Sequence, residues 1–252
     1  TGESGDFEKA NFPIGVEGGK TSTCPTQNLM EAYDMKDGTP FVWNNQSNPY
    51  DNRDPRMKYT IVCNEMKWPV DPVEIWEGGT NGLPLQNATT TGYYLKKYVN
   101  NTISFEAGST VTKKQHNWVL FRYGEILLNY AEAMINAFHD PNYKDAVYNM
   151  SAREAVNQIR GRTNISLPGF PSDITEKDFV KRLKNERRVE LAFEGHRFWD
   201  VRRWKELGQT ANIYGVKITK NNEVISYEKF LLETRAVTDN MYFYPIPNTA
   251  SL

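Results

Sequence analysis

A helical pattern over residues 176–194 carries charge where its apolar face should lie, and this feature constrains the fold most strongly. At about 100° per residue, Phe179 and Leu183 point about 40° apart. Four charged residues fall within roughly 60° of the same direction: Glu186, Arg187, Glu190 and Glu194. Either the second half of the helix is solvated, or its charges are buried in an ion-pair network. In the second case the candidate partners are Arg160, Arg197, Arg202 and Arg203.

Turn and breaker residues divide the chain into three parts. Signals such as GVEGGK and QSNPYDNRDP recur throughout residues 1–118, which we expect to be loop-rich. Residues 119–208 show helical periodicity, and residues 209–252 return to short extended runs. The predicted fold class is mainly α, with long irregular loops and a few short strands.

Capping and periodicity signals place the individual elements. Ser151 and Glu154 form a capping-box pair, and Gly161 and Gly195 supply helix stops. The first long helix places its apolar residues on one face: Tyr123, Ile126, Leu127, Tyr130, Met134 and Phe138. The predicted elements are a short helix after Pro25 that ends at Asp37-Gly38, β-like runs at Met57–Cys63 and Tyr93–Val99, and helices at 122–138, 152–160, 176–194 and 196–207.

Charge and residue spacing exclude several function classes. The 252 residues carry 30 Lys+Arg against 31 Asp+Glu, whereas nucleic-acid-binding proteins usually have a basic excess. No apolar stretch is long enough for a transmembrane helix. His116, His139 and His196 are dispersed, without HExxH or CxxC spacing, so we expect no metal and no cofactor. Cys24 and Cys63 permit either one disulfide or two free thiols.

Several segments together resemble a known family. The segment NERRVELAFEGHRFWDVRRW at 185–204 resembles the signature of the SusD/RagB family. Further segments resemble other motifs of that family in the same order: PTQNL at 25–29, NPYDNRDPR at 48–56, RYGEILLNYAEA at 122–133, AVNQIR at 155–160 and YPIP at 244–247. Residues 1–252 therefore resemble the C-terminal half of the family.

The resemblance implies a non-enzymatic protein with a helical, tetratricopeptide-like fold. Family members are lipoproteins of the bacterial outer membrane, exposed at the cell surface, that capture nutrients. They bind a glycan, or in some cases a peptide, and cover a TonB-dependent, SusC-like transporter. The implied partners are a glycan and such a transporter, with no nucleic acid. Contact with the membrane is expected only through a lipid anchor in an N-terminal half that this chain lacks.

The resemblance also implies that the signature residues are structural rather than catalytic. We expect them to form an ion-pair network wedged with aromatic side chains. The residues concerned are Glu186, Arg187, Glu190, Glu194, Arg197, Trp199, Asp200, Arg202 and Trp204.

Ligand contacts are expected from the loop-rich part instead. Sugar sites combine an aromatic platform with amide and carboxylate groups that meet hydroxyls. The candidate binding residues are Trp43, Trp68, Trp76, Asn44 and Asp71. For each tryptophan the alternative is packing beneath a long loop.

Three other interpretations of function stay open at this point. Glu190 and Glu194 would be the acids of a glycoside hydrolase, although paired carboxylates are common and their separation is not readable from sequence. A peptide-binding member of the same family is a second alternative. A lid without a ligand site of its own is the third.

Overall fold

Apolar residues at spacings of three and four, bounded by capping groups, produce most of the regular structure. The computed structural model describes residues 3–44, 48–105 and 113–243, and within them seven α-helices are joined by long loops. The helices are α1 (Asp6–Asn11), α2 (Gln27–Ala32), α3 (Pro55–Thr60), α4 (Tyr123–Phe138), α5 (Ala152–Arg160), α6 (Glu176–Glu190) and α7 (His196–Arg203). The prediction of a mainly α chain with long loops is confirmed.

The strands form three separate antiparallel pairs in the described residues. Each of the first four strands has only two residues. The strands are β1 (Glu3–Ser4), β2 (Ile61–Val62), β3 (Tyr94–Leu95), β4 (Lys114–Gln115), β5 (Asn212–Asn221) and β6 (Val224–Thr234). The pairs are β1 with β4, β2 with β3, and β5 with β6. Two short 3-10 helices lie at Leu207–Thr210 and Asp239–Tyr242.

Helix α4 has the predicted length, but its predicted apolar face is wrong at the N-terminal end. Tyr123 and Ile126 are exposed. The buried side of the helix is centred on Leu128, Ala131 and Ile135, which contact α5 and α6. The periodicity was compatible with two neighbouring faces, and packing against those helices selects one of them.

Helix α5 begins as predicted. The Ser151 hydroxyl accepts a hydrogen bond from the Glu154 amide at 3.2 Å, and the Ser151 amide donates to the Glu154 carboxylate at 2.8 Å. The predicted apolar face, Ala152, Ala155, Val156 and Ile159, is buried. Both signals in the sequence are therefore confirmed.

Helices α6 and α7 are shorter than predicted. Helix α6 ends at Glu190 rather than Glu194, because Phe193 and Gly195 adopt φ values of 62° and 83° in the connection. A left-handed residue cannot continue a right-handed helix, so the chain turns there. Helix α7 ends at Arg203, four residues before the predicted end at Leu207.

The predicted β-like run at Met57–Cys63 is mostly helical. Asp54 caps α3 by accepting from the Arg56 amide at 2.9 Å, and Pro55 occupies the first turn. Proline with its fixed φ is favourable at that position, and a capped start outweighs the β-branched composition that follows. Of the second predicted run, only Tyr94–Leu95 forms a strand, paired with Ile61–Val62. The helix predicted after Pro25 is present as α2, but it ends at Ala32 instead of reaching Asp37-Gly38, and helix α1 was not predicted.

Strands β5 and β6 form a long hairpin where short extended runs were expected. They contain 10 and 11 residues, and their connection passes through Asn222 with φ of 53°. Hairpin strand β5 packs against α2. The YPIP segment at 244–247 lies outside the described residues.

Two apolar cores lie beneath these elements. One consists of the loop-rich part together with the hairpin, and includes Tyr33, Met57 and Val216. The other joins α4, α5 and α6. Cys24 and Cys63 are both free thiols. No helix in the described residues is long and apolar enough to cross a membrane.

We predict that Ser151→Ala lowers the free energy of unfolding by about 1 kcal/mol, because the Glu154 amide at the start of α5 loses its side-chain acceptor. Urea unfolding followed by circular dichroism measures this change. The matched control is Ser172→Ala, in an exposed loop, which should change it by less than about 0.5 kcal/mol. Equal effects of both changes would show that the capping box does not stabilise α5.

Candidate functional site

The carboxylates on the apolar side of α6 and in the turn that follows it are buried. The side chains of Glu186, Glu190 and Glu194 are each 3% exposed. An ionised carboxylate removed from water is destabilising unless cations and hydrogen bonds replace the lost hydration. Of the two alternatives for this helix, the structure therefore contains the buried ion-pair network.

Glu190 lies at the centre of this network and meets three guanidinium groups. Arg162 binds both of its carboxylate oxygens, at 2.9 and 2.8 Å. Arg122 donates at 2.7 Å and Arg56 at 2.9 Å. Burial raises the pKa of the Glu190 carboxyl, but Arg56, Arg162 and Arg122 outweigh it and lower the pKa to about 2. Glu190 is therefore held as an anion.

Glu186 connects the same network to α5. Arg160 donates to one of its oxygens at 2.7 Å, and Arg56 also binds this carboxylate. Arg160 reaches Asp34 at 3.3 Å as well, and Asp54 binds Arg56 at 2.7 Å. Burial raises the pKa of Glu186, but the two arginines outweigh it and lower the pKa.

Glu194 extends the network into the turn after α6. Arg122 donates to both oxygens of Glu194, at 2.8 and 2.9 Å. The Lys97 ammonium donates to the same carboxylate at 2.6 Å. The network thus joins a loop of the N-terminal part, the start of α4 and the end of α6.

A second group of charges fixes α7 on α6 and α4. Asp200 accepts from Arg187 at 2.8 Å and from Arg203 at 2.9 Å. Arg203 also donates to the Glu132 carboxylate on α4. The same carboxylate accepts a hydrogen bond from the Trp204 indole at 2.8 Å. Burial raises the pKa of Glu132, but Arg203 and Trp204 lower it overall.

Three signature residues lie outside these contacts, contrary to expectation. Arg197 binds the Gln209 side chain at 3.0 Å, and Arg202 binds the Phe198 carbonyl and covers its ring. Trp199 is 55% exposed and therefore does not wedge the network. The buried residues of α7 are Asp200 and Val201, so Trp199 lies on a more exposed side of this helix.

The main cationic partners of these carboxylates were not predicted from sequence; they are Arg56, Arg122, Arg162 and Lys97. Three of the network's arginines nevertheless belong to motifs that were recognised: Arg56 in NPYDNRDPR, Arg122 in RYGEILLNYAEA and Arg160 in AVNQIR. Each of these motifs begins or ends with an arginine, and this was the feature of the sequence from which the partners could have been predicted. Their convergence on α6 requires the tertiary fold.

A surface cleft is lined by one of the five predicted ligand residues, Asn44, and a second, Trp43, lies next to it in sequence. It has a volume of about 460 Å³ and is lined by Met35, Pro40, Phe41, Val42, Asn44, Asn48, Pro49, Asp51 and Asn52. The half-buried Trp43 packs edge-on against Phe41, with ring centroids 6.4 Å apart. The Arg53 guanidinium lies 3.7 Å from the centre of the Phe41 ring. We call this site the Trp43 cleft.

Trp68 and Asp71 form a turn instead of a platform. The Trp68 side chain is buried in the core, and its amide donates to the Asp71 carbonyl at 2.8 Å. The Lys96 ammonium lies 4.9 Å from the Trp68 ring. Trp68 is therefore inaccessible as a flat stacking surface.

Trp76 lies at a third location. It is half-buried against the core, and the Lys220 ammonium lies 4.3 Å from the centre of its ring. A sugar stacked on that face would have to displace the lysine. The structure thus does not gather the three predicted tryptophans into one site.

The geometry defines a protein in which irregular loops are fixed on a helical scaffold by buried ion pairs. The family model described as "SusD family" matches residues 4–251, so the chain belongs to the SusD family. The resemblance noted from its motifs is confirmed.

Solved and curated relatives agree with this assignment. A SusD-like protein from Bacteroides fragilis matches with a TM-score of 0.79 and 26% identity, over 98% of this chain and 50% of that protein. A SusD-like carbohydrate binding protein from the same species matches with a TM-score of 0.74 and 24% identity, over 96% and 49%. "SusD-like protein P38" of Formosa agariphila is 37% identical over 91 residues, 34% of this chain and 16% of the relative. The chain spans about half the length of these solved relatives.

We predict that Glu190→Gln lowers the free energy of unfolding by about 3 kcal/mol at pH 7, because three guanidinium groups lose their shared anion. Urea unfolding measures the change. Glu223→Gln, at the exposed hairpin turn, is the matched control and should be nearly neutral. An equal, small effect of both changes would contradict the central place of Glu190 in the network.

The pKa of Glu190 also predicts a pH dependence. Folding lowers it from 4.5 to about 2, so its stabilising contribution is complete above about pH 4.5 and is lost as the pH falls towards 2. The difference in unfolding free energy between the natural chain and Glu190→Gln should therefore shrink over that range. A difference independent of pH would show that the lost stability is not electrostatic.

Proposed function

We propose that this chain contributes to a non-catalytic receptor that binds oligosaccharide at the cell surface and delivers it to a TonB-dependent, SusC-like transporter. The observation that carries the proposal is the Trp43 cleft in a chain of the SusD family. The solved relative described as a carbohydrate binding protein supports a glycan as the ligand class. In this proposal the receptor resides in the outer membrane and is held there by an N-terminal lipid anchor.

The chemistry of the Trp43 cleft suits a sugar. Asn44, Asn48 and Asn52 provide amides that both donate and accept, and Asp51 adds a carboxylate acceptor. Phe41 lines the cleft with one ring face covered by Arg53, and Trp43 packs edge-on against it, so the pair offers apolar ring surface beside the polar groups for the C–H face of a pyranose. This combination of flat apolar surface and planar polar groups is what recognition of hydroxyls requires.

The state of the buried carboxylates supports binding rather than hydrolysis. A glycosidase acid needs a raised pKa to donate a proton near neutral pH. The pKa values of Glu190 and Glu194 are lowered, and both carboxylates are already bound by arginine. We therefore assign these residues to the scaffold and the ligand to the loops.

We predict that Trp43→Ala in the full-length protein weakens binding of its preferred glycan roughly tenfold or more, equivalent to about 1.4 kcal/mol. The cause is the lost stacking surface beside Phe41. A panel of immobilised glycans identifies the ligand, and titration calorimetry measures Kd for both proteins.

Trp76→Ala is the matched control, because it removes another half-buried tryptophan outside the cleft. It should change Kd less than about twofold. Trp68→Ala should instead lower stability by about 3 kcal/mol or more, because its side chain is in the core. Binding of peptides but not of glycans would overturn the proposal in favour of the peptide-binding alternative. Binding unaffected by Trp43→Ala would place the site elsewhere.

A further inference from the structure

A second cavity adjoins the Trp43 cleft. It has a volume of about 460 Å³ and lies between α6, α7 and the loop that follows α2. Pro40 and Phe41 line both this cavity and the Trp43 cleft. Only the loop segment that contains Pro40 and Phe41 therefore separates a ligand in the cleft from the second cavity.

Cationic side chains dominate the lining of this cavity. Residues 177, 181, 184 and 188 recur at spacings of three and four, so they share one face of α6. Arg197 approaches from α7, and Arg182 completes the set. We call this site the arginine cavity.

The acidic residues of the arginine cavity already have cationic partners. Glu31 binds Lys229 at 2.8 Å, and Glu206 binds Lys184 at 2.5 Å. Asp34 and Glu186 both bind Arg160, which lies behind the lining. None of these acids forms an ion pair with Arg188 or Arg197.

Among the half-buried cations of the lining, Arg188 and Arg197 lack an acidic partner, whereas Arg182 and Lys184 have one. Within the described part of the chain, no carboxylate lies within ion-pair distance of either guanidinium. Arg188 donates to the Asn28 carbonyl at 2.8 Å, and Arg197 donates to the Gln209 side-chain oxygen at 3.0 Å. Both arginines are half-buried. Burial, followed by the charge of Arg197, lowers the pKa of Arg188 to about 10, and burial lowers the pKa of Arg197.

Two adjacent, partly desolvated guanidinium groups are unfavourable without an anion. A carboxylate or a sulfate ester would satisfy them, because the planar fork of arginine matches the oxygen pairs of such groups. Neutral hydroxyls would add hydrogen bonds to the two guanidinium groups but no opposite charge. The chemistry of the arginine cavity therefore selects an anionic group.

We propose that the arginine cavity binds the anionic substituent of an acidic glycan whose sugar rings occupy the adjoining Trp43 cleft. This inference rests on the function proposed above and narrows its ligand to glycans that carry carboxylate or sulfate groups. Arg188 and Arg197 are the residues that determine this specificity.

The test compares charged glycans with their neutralised counterparts on the full-length protein. One arm uses polygalacturonate and its methyl ester, and a second uses carrageenan and its desulfated form, with starch as a neutral reference. We expect an acidic glycan to bind roughly tenfold or more tightly than its neutralised form. Its binding should weaken as sodium chloride is raised, whereas neutral binding should not. The arm that shows this preference identifies the anion as carboxylate or sulfate.

Single variants then locate the selectivity. Arg188→Gln and Arg197→Gln should each remove most of the preference for the charged form and leave binding of the neutralised form unchanged. Lys67→Gln removes one charge from an exposed site that does not line the arginine cavity and is the matched control. Thermal unfolding checks that the variants fold, and the salt dependence of the natural protein tests the inference without any substitution.

The outcomes separate this inference from the function on which it rests. If the tightest ligand is neutral, and both arginine variants bind it normally, the acidic-glycan inference is overturned while the receptor function stands. If Trp43→Ala abolishes binding and the arginine variants weaken charged and neutral forms equally, the arginines are structural and the inference also fails. If only acidic peptides bind, the proposed function itself is wrong.

Discussion

The burial of Glu190 among three arginines is the constraint on which the rest of the structure depends. A folded protein tolerates such a deeply buried carboxylate only when its cationic partners are held in fixed positions around it. Those partners come from α3, from the residue before α4 and from the turn after α5, so one anion fixes the relative placement of three segments. Such a network contributes more to the uniqueness of the arrangement than to its stability. It explains how so much irregular chain is held on a small number of helices.

The buried network belongs to the scaffold and is separate from the loop surfaces that we propose bind a ligand. Helices α4, α5 and α6 supply an apolar core and the buried acids, while the loop of residues 40–52 supplies Phe41, Asn44 and Asp51 to the Trp43 cleft. Arg53 fixes this loop on the end of α2, because it donates to the Met30 and Tyr33 carbonyls and stacks on Phe41. The cleft is thereby positioned by the same segment that carries Arg56 into the network.

The sequence was most informative where local chemistry decides structure. The Ser151 capping box and the apolar face of α5 were predictable, because both depend on neighbours within a few residues. The charges of α6 were compatible with a solvated helix end or with a buried ion-pair network. Only the fold shows that Arg56 and Arg122 lie against these carboxylates, which makes the network the correct alternative. Trp68 and Trp76 could not be distinguished from Trp43 in sequence, because their accessibility depends on distant partners such as Lys96 and Lys220. Arg188 gave no signal, since the lack of an acidic partner is a property of the assembled cavity.

The central claim is that a glycan lies across the Trp43 cleft with its charged group in the arginine cavity. A crystal structure of the full-length protein bound to its tightest acidic oligosaccharide tests this most directly. We expect a sugar ring against Phe41 and Trp43, and carboxylate or sulfate oxygens within hydrogen-bonding distance of Arg188 and Arg197. A sugar bound on another surface, with both arginines unchanged, would contradict it.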